Sequence, residues 1–130
     1  FMNYLIDTCG WIEWLSDGVL ADKYLSYMTN INTVVVPTTV QFELYKWVCR
    51  VKGKQSAIES IALTEQGKVI PLSTSIALLA ANFSSQYKLS FADAIIFATA
   101  QNESVKLITS DEHFVNLPDV TYFSKKVDEI

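Results

Sequence analysis

Short apolar runs alternate with helical patterns along the whole chain, and this alternation constrains the fold more than any other feature. Tyr4 to Asp7, Thr33 to Val36, Val69-Ile70-Pro71, Val105 to Thr109 and Val120 to Phe123 read as strands. Pro37 closes the second of them. A helical pattern begins at about Trp11, with Trp11, Trp14 and Leu15 on one face, and Asp17-Gly18 punctuates it. Leu20, Tyr24, Tyr27, Met28 and Ile31 form the stripe of a second helix. Thr38-x-x-Gln41 predicts a capping box opening a third helix, which runs to about Val51 and breaks at Lys52-Gly53-Lys54. A fourth helix is predicted from Ser56 to Gln66, stopped by Gly67. The fifth spans Thr74 to Tyr87, with Ile76, Leu79, Ala80, Phe83 and Tyr87 inward, and the sixth runs from Ser90 to about Asn102. Strands this short, separated by helices, predict an α/β fold: a parallel sheet with helices on both faces. Open sheets of this kind gather their sites at the carboxyl ends of strands, at the point where the strand order reverses. The residues that follow each strand are therefore the ones to inspect.

Composition narrows the class. A chain of 130 residues has room for one domain, taken as residues 1–130. Half its residues are hydrophobic (50%) and only 18% are charged, which excludes a disordered chain. The net charge is -4, and Arg50 is the one arginine among 10 cations. A protein that holds nucleic acid through a broad basic face is excluded. No apolar run approaches the roughly 18 to 20 residues that span a bilayer. No secretory pattern opens the chain; Met2 is the expected natural start and Phe1 a remnant ahead of it. Cys9 and Cys49 lack zinc-site spacing and read as free thiols in a reducing, cytoplasmic setting. The apolar excess points to a covered interface.

Four acids stand where a site is expected. Asp7 ends the first strand and Asp111 follows the fourth. Asp93 lies in the first turn of the sixth helix, flanked by Phe91, Ala92, Ala94, Ile95 and Ile96, and Glu43 lies one turn into the third. Singly, each has an ordinary structural role. Asp93 can complete a Ser90-x-x-Asp93 capping box, Asp7 can accept backbone N–H groups at a helix start, and Asp111 can serve a turn. Glu43 can pair with Lys46 one turn on. Jointly, carboxylates in apolar settings are costly unless paired or metal-bound, and the chain offers no matching set of cations. Such a set suits Mg²⁺ or Mn²⁺, hard ions that prefer oxygen ligands. Sites of this kind hydrolyse phosphodiesters by activating water and stabilising the leaving oxygen, leaving a 5′-phosphate and a 3′-hydroxyl.

Leu5-Ile6-Asp7-Thr8, Glu43 early in a helix, Ser90-Phe91-Ala92-Asp93-Ala94 and Thr109-Ser110-Asp111-Glu112-His113-Phe114 resemble, in order, the motifs of PIN-domain nucleases. The short length resembles the VapC-type toxins of toxin–antitoxin pairs. The resemblance implies a three-layer fold with a five-stranded parallel sheet of order 3-2-1-4-5. It implies a metal-dependent endoribonuclease with one or two Mg²⁺ (or Mn²⁺) ions per site, an RNA substrate, a homodimer, and a small antitoxin that blocks the site. Asp7, Glu43, Asp93 and Asp111 match the acidic quartet, with Asp7, Asp93 and Asp111 as direct ligands and Glu43 ligating through water or orienting the nucleophile. Thr8 and Thr109 match the supporting positions. Two residues depart from the pattern. Cys9 stands where the family often has Asn or Ser. His113 stands where many members carry a further Asp, and reads as a surface loop residue or a proton carrier.

Lys46 and Arg50 share a helix face with Glu43 and are candidates to guide RNA, the alternative being an ion-paired solvated face. The third helix carries two apolar stripes: Val40, Leu44, Trp47, Val48 and Val51, and a second of Phe42, Tyr45 and Cys49. The second stripe, with some of Trp11, Trp14 and Tyr24, is expected to need cover from a second copy or an antitoxin helix. Three competing readings remain. One is a catalytically silent PIN-like module that binds RNA or protein. Another is a DNA-directed nuclease on the same chemistry. The third is a receiver-type signalling domain, which would need an acceptor Asp after the third strand, where Val69-Ile70-Pro71-Leu72-Ser73 offers none.

Overall fold

A computed structural model describes residues 3–125, so the expected start at Met2 lies outside the described residues. Five strands, β1 (Tyr4–Ile6), β2 (Val34–Pro37), β3 (Lys68–Ile70), β4 (Lys106–Thr109) and β5 (Val120–Tyr122), form one sheet of order β3-β2-β1-β4-β5. All pairings are parallel, with Leu5 opposite Val35 on one side and Leu107 on the other. Six helices connect them: α1 (Thr8–Leu15), α2 (Ala21–Met28), α3 (Thr38–Lys52), α4 (Lys54–Thr64), α5 (Thr74–Tyr87) and α6 (Phe91–Asn102). Right-handed crossovers place α1 to α4 on one face and α5 and α6 on the other. Leu5, Ile6, Val34, Val35, Val36, Leu107 and Ile108 lie buried between the two layers. Residues 94–100 of α6 are buried all round, and Phe97 meets Phe83 and Tyr87 edge to face. No helix among the described residues is long and apolar enough to cross a membrane.

Several elements begin or end away from their predicted bounds, each for a local reason. The first helix starts at Thr8 rather than Trp11, because Asp7 caps it and accepts the Thr8 N–H. The second ends at Met28, and Ile31 falls in a 3-10 turn over Ile31–Thr33. The capping box predicted at Thr38 does not form. Pro37 precedes the helix without a side-chain cap, and the Gln41 amide donates instead to Thr64 Oγ1 and Glu65. The break between the third and fourth helices shrinks to Gly53 alone, at φ 93°, a conformation that side chains disfavour. With so short a link α3 and α4 pack as a hairpin, and α4 begins at Lys54 rather than Ser56. Gly10 lets α1 lie against the sheet, since a Cβ there would overlap the Tyr24 ring and the Ile6 side chain. Trp11 and Tyr24 are wholly buried, so neither needs the external cover their sequence suggested.

Candidate functional site

The chain leaves β1 toward β2 and returns, after β3, to β4 on the other side. A crevice therefore opens between the carboxyl ends of β1 and β4, where Asp7 N–H donates to Ile108 O at 3.0 Å. Asp7 sits at its floor and is only 4% exposed. Its Oδ1 accepts the Thr8 N–H at 2.8 Å and its Oδ2 accepts the Thr109 hydroxyl at 2.7 Å. Thr109 Oγ1 in turn accepts the Asp111 N–H at 2.9 Å, so one buried hydroxyl ties the two strand ends together. Thr8 donates its hydroxyl to Glu43 Oε1 at 2.6 Å, which brings the start of α3 to the start of α1. Both threonines thus stand against acids of the predicted quartet.

Asp93 arrives from the opposite layer. Ser90 caps α6 and accepts the Asp93 N–H, which fixes the first turn. Asp111 caps the 3-10 turn over Glu112–Phe114 and accepts the His113 N–H at 2.9 Å. The carboxyls feel one another. Burial, foremost, raises Asp7 from 3.8 to about 6, against the Thr109 and Thr8 hydrogen bonds that lower it, while Asp93 and Asp111 push it higher. Asp93 is also raised, by burial first, then by Asp111 and Glu43, against the Ser90 hydrogen bond and His113. Among the described residues, no Lys or Arg forms an ion pair with any of the four acids.

The structure thus brings Asp7, Glu43, Asp93 and Asp111 together with Thr8 and Thr109. Lys46 and Arg50 lie outside this cluster, both exposed. Lys46 Nζ rests 6.0 Å from the centre of the Phe42 ring, and Arg50 makes no ion pair among the described residues. The alternative pairing of Glu43 with Lys46 does not form, because Glu43 is turned to Thr8. Ser110 was not singled out by sequence. Its N–H and hydroxyl reach Cys9 Sγ at 3.4 and 3.3 Å, and that sulfur lies 3.6 Å from Asp7 Oδ2. Burial raises the Cys9 thiol, and Asp7 raises it further, so the group there is an S–H. No short-range pattern marks Ser110, because its role depends on β4 lying beside β1.

The donor set fits a divalent metal. Four carboxyls converge without a Lys or Arg ion-pair partner among the described residues, and donor atoms of Asp93, Asp111 and His113 lie within 4.8 Å of one another.

Fold and site together define an α/β protein with a carboxylate pocket at its switch point. The PIN domain family matches residues 4–120, and the chain belongs to it. None of the curated proteins matches in sequence. Among solved structures, a toxin–antitoxin complex from Klebsiella pneumoniae superposes with a TM-score of 0.81 at 24% identity, covering 94% of this chain and 99% of that one. A VapBC complex from Rickettsia felis, bound to a promoter DNA fragment, gives 0.73 at 17% identity over 95% and 98%. A VapC toxin of Mycobacterium tuberculosis, described as cleaving the sarcin–ricin loop, gives 0.68 at 16% identity over 80% and 85%.

Proposed function

We propose that this chain, one PIN domain over residues 1–130, is a metal-dependent endoribonuclease acting as the toxin of a VapBC-like pair. One observation carries the reading: four carboxyls with no Lys or Arg partner among the described residues converge at the carboxyl ends of β1 and β4 in a PIN domain. The relatives add support, since toxin–antitoxin complexes share the fold and one such toxin is described as cutting RNA.

Asp7, Asp93 and Asp111 would hold Mg²⁺ or Mn²⁺, with Glu43 beside them. A bound ion supplies an acidified water and neutralises charge on the scissile phosphate. Thr109 and the Thr8 N–H hold Asp7 in one rotamer with both oxygens engaged. The Thr8 hydroxyl fixes Glu43 Oε1, leaving its second oxygen to orient the attacking water. The expected result is RNA cleavage with Mg²⁺ that stops in EDTA and returns with excess Mg²⁺, followed on a labelled RNA. Undiminished cleavage in EDTA would sink the reading, and metal binding without turnover would favour the silent binding module.

Arg50 and Lys46 are proposed to guide the RNA backbone toward the cleft. Arg50→Ala should weaken RNA binding by a few-fold at low salt, with a shallower dependence of affinity on salt. Full affinity across a salt series would return both residues to an ordinary solvated face.

Two apolar faces remain open. One is a groove between α3 and α4 that includes Phe42, Tyr45, Cys49 and Ile61. The other is a cavity of about 260 Å³ between α5 and α6 that includes Leu72, Phe91 and Ile95. Phe42 is 67% exposed and Phe91 78%. A second copy of this chain and an antitoxin helix are the proposed occupants. Light scattering at micromolar concentration should give a dimer mass, and a monomer would contradict it. Two free thiols, Cys9 and Cys49, support a reducing cytoplasm as the proposed setting.

A further inference from the structure

His113 is the one histidine of the chain. Its side chain is 71% exposed, yet it does not point away from the site. Nδ1 lies 2.8 Å from Asp111 Oδ1 and 3.7 Å from Asp93 Oδ2. Its backbone is held there from two sides. Asp111 accepts the His113 N–H at 2.9 Å, and the next residue, Phe114, is wholly buried. Asp93 comes from α6, and Asp111 and His113 come from the turn that follows β4, so two stretches from opposite layers converge on one point.

In an octahedral site with metal–ligand distances of about 2.1 Å, neighbouring donor atoms lie about 3 Å apart. The two separations at Nδ1 bracket that value. We propose that His113 Nδ1 is a metal ligand, completing a mixed nitrogen and oxygen donor set with Asp93 and Asp111. The consequence is a changed choice of ion. Imidazole suits transition ions, whereas carboxylate and water suit Mg²⁺. A site with one nitrogen donor therefore favours Mn²⁺ over Mg²⁺. The inference rests on the metal-dependent reading above and names a ligand that the acidic quartet lacks.

The test is direct because the chain has a single imidazole. Mn²⁺ is titrated into the tag-free full chain, and pulsed electron paramagnetic resonance reads any ¹⁴N coupling to the ion. The expected result is an imidazole ¹⁴N coupling in the wild type that is lost in His113→Ala. Mn²⁺ affinity should fall at least about tenfold in that variant, the lower end of what losing even a residue behind a ligand costs. Mg²⁺ affinity, measured by competition, should change far less. His113→Asp should shift preference back toward Mg²⁺, and circular dichroism checks that both variants fold. Bound Mn²⁺ without ¹⁴N coupling would overturn the ligand role and leave the metal-dependent reading standing. No Mn²⁺ binding at all would overturn both.

Discussion

Asp7→Asn should abolish RNA cleavage, with an expected loss of about a thousandfold or more in the single-turnover rate with Mg²⁺ at pH 8. The size follows from what is removed. A divalent ion at a phosphoryl oxygen is worth several kcal/mol of charge stabilisation, and each 1.4 kcal/mol is about tenfold in rate. Asp7 is the most buried of the four acids and the one to which both strand ends are tied, through Thr8 and Thr109. The amide preserves the shape. Asn still accepts the Thr8 N–H through its oxygen, and its NH₂ can donate to Thr109 Oγ1, which then accepts twice and loses only its own donation. The variant should therefore keep the fold, and unchanged circular dichroism would show that the charge was what mattered. Cleavage at the wild-type rate would remove Asp7 from the machinery.

The acidic balance of the chain takes on meaning at this site. A net charge of -4 argues against a basic nucleic-acid face, and the number of acids gathered in the crevice equals that excess. Without a cation, a cluster of carboxyls repels phosphate and its members resist ionisation. With one or two divalent ions the same crevice becomes a place where phosphate can rest. On the proposed reading, affinity for RNA is conferred largely by the ion, with Arg50 and Lys46 in a guiding role.

The sheet was legible because short apolar runs ending at Asp7, Pro37 and Thr109 leave few other arrangements for strands of three or four residues. The order β3-β2-β1-β4-β5 came from family resemblance, since periodicity cannot say which strands are neighbours. Helix ends were harder. The Thr38-x-x-Gln41 pattern has the letters of a capping box, but Gln41 finds better partners on α4, which sequence spacing does not reveal. The gathering of the four acids was legible from their positions after strands and at helix starts. Their partners were less so. Ser110 meets Cys9 only because residues far apart in sequence become neighbours, and His113 reads as a loop residue until Phe114 is seen to be buried beneath it.

The metal-free protein should lose stability as pH rises from 5 to 8, and Asp7→Asn should largely remove that loss. In the folded chain the Asp7 carboxyl keeps its proton up to about pH 6, against 3.8 when the chain is open. Folding therefore takes up a proton between these values, and the associated stability is complete below about 4 and lost as pH passes 6. The whole shift corresponds to about 3 kcal/mol, since one pKa unit is worth about 1.4 kcal/mol, and about half of it is lost between pH 5 and 8. For a chain of this size that half is on the order of 5 °C in Tm. Asp93 is displaced in the same direction, mainly by burial, and adds to the slope. Glu13 acts with the opposite sign. Burial raises it, but Lys125 Nζ at 2.8 Å and the Leu20 N–H pull it below 4.5, so its contribution fades only as pH falls through that lower range. Measuring Tm between pH 5 and 8 in EDTA thus isolates the site acids. The wild type should melt lower at pH 8 than at pH 5, and Asp7→Asn should melt higher than the wild type at pH 8. Saturating Mn²⁺ should then raise the wild type at pH 8 more than the variant, because in the wild type the ion also binds the Asp7 carboxylate form that burial alone disfavours. A wild type with the same Tm at pH 5 and pH 8 in EDTA would mean that Asp7 carries no such strain, and the crevice would lose its main reason for taking up a cation.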